Sequence, residues 1–289
     1  MNDFWPGSPD LRFVQPGAAK INLSLRVTSL RSDGYHNILS LFLRLPPVET
    51  LLISGAECAD DVRVRGMEIE GGNIVTRALR CARSAGFDVP FLDVEIHKTL
   101  PPGSGLGAGS GNGAALLRWL AGNDDGPAWR DVALRTGADV PFLFSGLSLA
   151  RVSGVGEKLE PLEPLAFYVL VAFPAWSAGT ENAYGRLDLR YGGRYPLNEA
   201  AAREEADLLC RRLRDGECVG LLPNDFSADL MERFPDYGEL FKLFTDAGSR
   251  GWGITGSGAA VFALFHETPR LRSFTWPRCV RQVLSVDVR

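Results

Sequence analysis

A glycine-rich segment carries the strongest indication of chemistry in this sequence. It begins at Pro101, reads Pro-Pro-Gly-Ser-Gly-Leu-Gly-Ala-Gly-Ser-Gly-Asn-Gly, and continues into an apolar run at 114–120 with helical character. Glycines let the backbone approach a ligand closely and turn its N–H groups inward, and a helix start adds positive potential. The combination suits a phosphate chain; the alternative is a flexible surface loop.

Two common nucleotide-binding patterns do not describe this segment. No lysine follows within the loop, so the P-loop spacing G-x-x-x-x-G-K-[ST] is absent. Residues 109–114 match the relaxed dinucleotide pattern G-x-G-x-x-A. That pattern should follow its strand directly, whereas roughly ten residues intervene here. We therefore expect a phosphate-binding loop of another kind.

Lys20 and Asp139 are the candidate charged groups. Lys20 lies with Asn22 on the polar face of an alternating segment, and Asp139 lies in Ala-Asp-Val-Pro-Phe, among residue types that are usually buried. A buried carboxylate needs a cation or several donors nearby, and Lys20 is a candidate partner. Taken singly, an exposed lysine and a helix-capping aspartate are the simpler interpretations.

Length and composition limit the class of protein. The 289 residues suffice for about two domains. A formal charge of −4 argues against general binding to nucleic acid. Five scattered cysteines without a C-x-x-C pair indicate neither a disulfide framework nor a zinc site, and they fit a reducing cytoplasm. The longest apolar run, 165–173, is too short to span a membrane.

Strand and helix patterns mix in both halves of the chain, which predicts an α+β fold. The polar and Pro-rich stretch 157–164 is the candidate boundary, giving domains 1–158 and 159–289. Strands are predicted at 21–27, 38–45, 91–96, 147–152, 167–173, 261–265 and 280–286, and helices at 74–86 (capped by Asn73), 114–120, up to about 135, 199–214 and 237–247.

Set in chain order, these pieces resemble the GHMP family of small-molecule kinases. The matching motifs are Ala-Lys-Ile-Asn-Leu from position 19, the glycine-rich loop, Gly-Ala-Asp-Val-Pro from 137, and Thr-Gly-Ser-Gly from 255. Arg-Ser-Asp-Gly-Tyr-His, from 31 to 36, resembles more narrowly the members whose alcohol substrate carries a cytidine diphosphate. Phe-Pro at 173 and Asn-Asp-Phe at 224 extend the match over nearly the whole chain.

The resemblance implies a two-domain GHMP kinase fold. Its N-terminal domain would bind ATP and contain a left-handed β-α-β unit, its C-terminal domain would be ferredoxin-like, and the active site would lie between them. Lys20 and Asp139 correspond to the family's catalytic pair. Asp139 would take the proton from the substrate's 2-hydroxyl as that oxygen attacks the γ-phosphate of ATP. Lys20 would keep Asp139 ionised.

The resemblance also implies binding residues. ATP, with Mg²⁺, would contact Asn73, Lys98, Pro101, Pro102, Gly103, Ser104, Gly105, Leu106, Gly107, Ala108, Gly109, Ser110 and Gly111. The substrate would contact Asn22, Tyr35, His36 and Thr180, with Tyr35 stacking on the cytosine and His36 hydrogen-bonding its edge. The metal ligands stay open.

The implied function is ATP-dependent phosphorylation of a cytidylyl alcohol in isoprenoid precursor synthesis, by a cytoplasmic monomer or homodimer that binds neither nucleic acid nor membrane. The alternatives are another GHMP kinase, of homoserine or mevalonate type, and a non-catalytic nucleotide-binding relative. The sequence departs from the family at four positions. Ala18 replaces a proline, Ala108 replaces a glycine, Gly111 replaces a serine and Ser227 replaces a glutamate.

Overall fold

The computed structural model describes residues 12–68 and 71–289, without the side chains of Thr180, Glu181 and Ser273. The strands are β1 (Phe13–Leu30), β2 (His36–Gly55), β3 (Asp61–Arg65), β4 (Leu92–His97), β5 (Leu149–Gly154), β6 (Lys158–Pro161), β7 (Tyr168–Pro174), β8 (Gly220–Leu221), β9 (Gly251–Ile254), β10 (Val261–Phe265) and β11 (Val280–Asp287). The helices are α1 (Ile74–Ser84), α2 (Ala108–Ala121), α3 (Pro127–Thr136), α4 (Val140–Ser145), α5 (Thr180–Tyr191), α6 (Glu199–Arg214), α7 (Ser227–Arg233) and α8 (Tyr237–Asp246), with a 3-10 helix at Leu271–Ser273.

The chain divides by its contacts into two compact units that interleave along the sequence. The first contains Met1–Ala19, Pro47–Pro102 and Gly107–Gly146; the second contains Lys20–Pro46, Gly103–Leu106 and Leu147–Arg289. The predicted domain boundary between residues 158 and 159 stays a prediction, because each of these units combines several separate segments of the chain. No helix in the described ranges is long and apolar enough to cross a membrane.

Strand β2 pairs with different strands in its two halves. Residues 38–43 run antiparallel to β5, and residues 50–55 run antiparallel to β4. Pro46 and Pro47 lie between the two pairings, where the missing N–H groups disrupt neither ladder. In the first unit β3 and β4 are parallel and are connected by α1, as a parallel pair requires. The left-handedness predicted for a β-α-β unit stays a prediction.

The five-stranded sheet of the second unit confirms the ferredoxin-like prediction. Its order is β11-β7-β10-β9-β8. If β7, β9, β10 and β11 are counted as strands one to four, they lie in the order 4-1-3-2, and neighbouring strands are antiparallel. Helices α5 to α8 form the first crossover, whereas the second contains only the 3-10 helix. Strand β10 is buried throughout, which explains its unbroken apolar sequence.

Two local predictions were wrong. Helix α2 begins at Ala108 rather than near 114, so half of the six glycines lie within the helix. Tertiary packing outweighs their low helix propensity, since Gly111 lies against the backbone of Ala18. The stretch 157–164 was expected to interrupt regular structure, but it contains β6, which pairs with β5. Strand β6 is at the sheet edge, where proline is tolerated.

A partly buried ion-pair cluster connects β1 to the segment before α7 in the second unit. The Asp225 carboxylate is 1% exposed; it accepts hydrogen bonds from Arg26 at 2.6 Å and from the Val27 N–H at 2.8 Å. Arg26 also bonds both oxygens of Glu205. Burial alone would lower the pKa of the Arg26 guanidinium, but the hydrogen bonds to these carboxylates outweigh it and raise the pKa.

Replacing Asp225 by alanine should therefore lower the free energy of unfolding by about 3 kcal/mol, because it leaves a largely buried guanidinium with one partner fewer. Urea unfolding followed by circular dichroism measures this. The matched control is Glu232→Gln in the exposed Arg190–Glu232 pair, where we expect a far smaller loss because of solvent screening. Equal losses in the two variants would contradict the structural role given to Asp225.

Candidate active site

Lys20 lies on β1 with its ammonium group inside the second unit. The residue is 4% exposed. Its Nζ donates to Asn22 Oδ1 at 2.8 Å and to the Gly105 carbonyl oxygen at 3.0 Å, and it lies 4.9 Å from the centre of the Phe42 ring. A buried ammonium needs such acceptors. The predicted lysine therefore contacts the predicted glycine-rich loop directly.

Asn22 connects β1 to the turn that begins at Thr255. Its Oδ1 also accepts hydrogen bonds from the Gly256 N–H at 2.9 Å and from the Thr255 hydroxyl at 3.2 Å, and its Nδ2 donates to Ser40. The side chain is therefore bonded within the protein at both polar atoms. Direct contact with a substrate, predicted for Asn22, stays a prediction.

The first part of the glycine-rich loop contacts both β1 and the Thr255 turn. The Lys20 N–H donates to the Leu106 carbonyl at 2.8 Å, and the Ala260 N–H donates to the Ser104 carbonyl at 3.1 Å. Gly105 adopts φ +84°, and a Cβ at this position would overlap the Thr255 carbonyl. Only glycine adopts this left-handed backbone without strain and leaves room for the Thr255 carbonyl. The glycine pattern therefore reflects close backbone packing in addition to any ligand.

The second part of the loop starts helix α2 in the first unit. Gly107 is the N-cap, with a left-handed backbone and no side-chain cap. The first-turn N–H groups are therefore left without a capping side chain and can bind an anion. Ser110 lies in this turn, and a Cβ built on Gly137 would be 3.9 Å from its hydroxyl oxygen. The Ser110 hydroxyl thus lies near the segment that leads into Asp139.

Asp139 occupies the N-cap position of α4 but does not cap it. The residue is half-buried, its side chain makes no cap hydrogen bond, and its carbonyl accepts from the Leu143 N–H. Val140 and Phe142, which follow it, are fully buried. The alternative that treated this aspartate as a helix cap is therefore not supported by the geometry.

Asn73 and Lys98, both predicted to lie near the adenine, have clear structural partners in the first unit. Asn73 caps α1, since its Oδ1 accepts from the Val75 N–H at 2.9 Å, and this confirms the predicted cap. The Lys98 ammonium lies 3.0 Å from Glu49 Oε1. Glu49 also accepts from the Leu100 N–H and from Asn112. Contact of either predicted residue with a nucleotide stays a prediction.

The Asp-Gly-Tyr-His element forms the turn between β1 and β2. Asp33 accepts a hydrogen bond from the Tyr35 N–H at 3.1 Å, and the Tyr35 carbonyl accepts from the Arg31 N–H at 2.7 Å. Tyr35 is 65% exposed, so its ring is available to a planar ligand. His36, in contrast, points into the second unit with a side chain 9% exposed.

Helix α5 supplies aromatic and acidic neighbours of His36 that the sequence analysis missed. The His36 ring lies 4.7 Å from the Tyr184 ring at 30°, and its Nε2 lies 2.8 Å from Asp188 Oδ1. Thr180, the predicted substrate residue, begins this helix, but its side chain lies outside the described part. Positions 180, 184 and 188 share one helix face, and that spacing could have identified the two neighbours.

No cluster of three or more His, Cys, Asp or Glu side chains able to hold a metal ion occurs within the described residues. A magnesium ion shared with phosphate oxygens needs only one or two protein ligands, however. Ser110 and Asp139 offer the oxygen donors that Mg²⁺ prefers. The donor chemistry of the first unit is therefore compatible with Mg²⁺.

Comparisons with known proteins agree with the motif order. The family described as GHMP kinases N terminal domain matches residues 73–146, and GHMP kinases C terminal matches residues 198–272. The chain is 34% identical over 254 residues to a 4-diphosphocytidyl-2-C-methyl-D-erythritol kinase of Chlorobium luteolum, covering 86% of each chain. It is 36% identical to the enzyme of the same name from Nitratidesulfovibrio vulgaris, over 86% of this chain and 88% of that one.

Solved structures give the same picture. A crystal structure of 4-(cytidine 5'-diphospho)-2C-methyl-D-erythritol kinase superposes with a TM-score of 0.72 at 25% identity, over 96% of this chain and 98% of that one. Homoserine kinase from Cytophaga hutchinsonii gives a TM-score of 0.52 at 19% identity, over 88% of this chain and 86% of the other. The second match shows the fold alone.

The loop geometry predicts that replacement by alanine affects stability differently at Gly109 and Gly111, two glycines of α2. A Cβ at Gly111 would overlap the Ala18 carbonyl, so Gly111→Ala should destabilise the protein by about 2–3 kcal/mol. Gly109 has only Ile74 at 3.8 Å from such a Cβ, so Gly109→Ala should be neutral or slightly stabilising. Urea midpoints of both variants test this, and a Gly111→Ala protein as stable as the parent would refute the packing argument.

Proposed function

The chain belongs to the GHMP kinase family, and we propose that it transfers the γ-phosphate of ATP to the 2-hydroxyl of 4-diphosphocytidyl-2-C-methyl-D-erythritol. The observation that carries the proposal is the 34–36% identity, over 86% of this chain, to enzymes named for that substrate. The exposed Tyr35 beside a buried His36 supports a substrate with a planar base. The reaction belongs to isoprenoid precursor synthesis.

The glycine-rich loop is the proposed binding element for the nucleotide phosphates. The uncapped N–H groups at the start of α2 can donate to phosphate oxygens, and the helix start adds positive potential. Gly111 contributes no side chain there, because the close approach of Ala18 leaves no room for one. The Ser110 hydroxyl is then the serine donor that this turn retains.

Mg²⁺ is proposed as the metal, with Ser110 as the residue that would hold it, beside the proposed base Asp139. When bound with ATP, Mg²⁺ neutralises charge that develops on the transferred phosphoryl group. Ser110 Oγ and the segment from Gly137 lie close together in the first unit, which supports a shared role.

Asp139 is the proposed base and Lys20 its proposed cationic partner. The substrate O–H proton passes to the Asp139 carboxylate, the oxygen forms a bond to the γ-phosphorus, and the bond from that phosphorus to the β-phosphate oxygen breaks to release ADP. An ordinary aspartate is a weak base for an alcohol, but in a loose transition state the proton leaves late, so positioning matters more than basicity. Two hydrogen bonds position the Lys20 ammonium.

The cytosine is proposed to bind at the β1–β2 turn. Tyr35 would stack on the base, and His36 would hydrogen-bond its edge. The turn bonds around Asp33 fix the backbone at Tyr35, which lowers the entropy lost on binding. Tyr184 adds a second aromatic side chain beside His36.

An ADP-release assay over a panel of alcohols tests the proposal. We expect turnover with 4-diphosphocytidyl-2-C-methyl-D-erythritol and at most weak turnover with homoserine, mevalonate and galactose. Preference for homoserine or mevalonate would favour the alternative of another GHMP kinase. Nucleotide binding without turnover of any alcohol would favour a non-catalytic relative.

Replacing Asp139 by asparagine should lower kcat by roughly 10²–10⁴ while the affinities for ATP and the cytidylyl substrate change by only a few-fold, because it removes the proton acceptor. Steady-state kinetics with both substrates measures this. Asp131→Asn, at an exposed α3 carboxylate paired with Arg135, is the matched control and should retain full activity. An active Asp139→Asn enzyme would remove Asp139 from the role of base.

Replacing Tyr35 by alanine should raise KM for the cytidylyl substrate about 5- to 100-fold and leave KM for ATP within about two-fold, since base stacking contributes on the order of 1–3 kcal/mol. Tyr35→Phe keeps the ring and should preserve both constants. If Tyr35→Ala changed both KM values equally, the base-stacking role would be wrong.

A further inference from the structure

The Asp188 carboxylate accepts two hydrogen bonds at one oxygen, and the proposed reaction leaves both without a role. Oδ1 lies 2.8 Å from His36 Nε2 and 2.5 Å from the Tyr195 hydroxyl. Asp188 is on α5, about a third exposed, whereas the His36 side chain is 9% exposed. A carboxylate on the surface of a helix thus reaches a largely buried imidazole, 152 positions away in the sequence.

The contact with Asp188 determines which nitrogen of His36 carries the proton. An ionised carboxylate only accepts hydrogen bonds, so Nε2 must be the protonated nitrogen. In a neutral imidazole the other nitrogen, Nδ1, is then an acceptor. Within residues 12–68 and 71–289, the His36 side chain forms its hydrogen bond through Nε2 and none through Nδ1, which leaves that lone pair for a ligand.

Aromatic packing fixes the orientation of the same ring. Tyr184 lies 4.7 Å from His36 at 30°, and Tyr195 lies 6.0 Å away at 78°, edge to face. A rotated imidazole would lose the Asp188 bond in these surroundings. Burial, together with the bond to Asp188, raises the pKa of the Tyr195 phenol, so its hydroxyl remains a donor to the carboxylate.

We propose that Asp188 is a positioning residue that makes the enzyme select cytosine over uracil. By holding the proton on Nε2, it presents Nδ1 of His36 as an acceptor for the 4-amino group of the base. Uracil carries an acceptor at the same position, so the two lone pairs would face each other. A site built to receive a donor rejects an analogue that lacks one, because a polar group is left unpaired. The inference rests on the proposed function, in which His36 contacts the base edge.

The test compares kcat/KM for the cytidylyl substrate and its uridylyl analogue. The parent enzyme should favour the cytidylyl substrate by at least about 10-fold, since the uridylyl analogue leaves the Nδ1 acceptor without a donor. Asp188→Ala should reduce that ratio at least about five-fold and leave KM for ATP within about two-fold. Asp188→Asn, whose amide oxygen can still accept from Nε2, should restore part of the ratio.

Two controls separate this role from a structural one. Glu232→Gln removes the carboxylate bonded to Arg190 of the same helix and should leave the ratio unchanged. Nitrogen NMR of the imidazoles reports the tautomer without turnover, and the chain has only three histidines to assign. We expect protonated Nε2 and unprotonated Nδ1 for His36 in the parent, and a mixture of tautomers in Asp188→Ala.

The possible failures are distinguishable. If the parent does not turn over the cytidylyl substrate, the proposed function is wrong and the inference with it. If the parent prefers that substrate but Asp188→Ala keeps the same ratio, or if His36 is protonated at Nδ1 alone, the role of Asp188 is overturned while the proposed function stands. If the only change in Asp188→Ala were a higher KM for ATP, that result would also contradict the role of Asp188.

Discussion

Burial of the Lys20 ammonium is the constraint on which the structure around the glycine-rich loop depends. A charge that is 4% exposed must have acceptors, and the protein supplies Asn22 Oδ1 and the Gly105 carbonyl. The same Asn22 oxygen accepts from the Gly256 N–H, and the same Gly105 oxygen lies 3.2 Å from the Thr255 hydroxyl oxygen. The positions of Lys20, the glycine-rich loop and the Thr255 turn therefore depend on one another. More than 230 positions of sequence separate Asn22 from that turn.

Close backbone approach explains why this region contains so much glycine. Gly105 packs against the Thr255 carbonyl with a left-handed backbone, and Gly111 packs helix α2 against the Ala18 carbonyl. The packing of this chain thus requires glycine instead of serine at position 111. Two of the departures from the family pattern, Ala18 and Gly111, lie in direct contact, so they are best understood as one local change in how β1 meets α2.

The sequence predicts the bounds of an element well where a local pattern determines them, and poorly where contacts with distant residues determine them. Helix α6 and strand β10 have the predicted bounds, since an amphipathic repeat and an unbroken apolar run need no partner to be recognised. The start of α2 was misplaced because helix propensity counts glycine as unfavourable and contains no information about Ala18. The spacing of Thr180, Tyr184 and Asp188 places them on one helix face, but the bond from His36 to Asp188 itself depends on how α5 packs. Thr180 and Tyr35 were predicted to contact the substrate only by resemblance.

The environments of four carboxylates differ between those that fix strands and those for which we propose a role toward substrate. Glu49 and Asp225 are almost fully buried, and each accepts from a cation and a backbone N–H, so little lone-pair capacity remains for a ligand. Their roles are to fix β2 and β1. Asp139 is half-buried and does not cap its helix, and Asp188 is a third exposed and orients a histidine. Of these four acids, the two that remain within reach of solvent are those for which we propose a role toward substrate, whereas a choice by burial alone would favour Glu49 and Asp225.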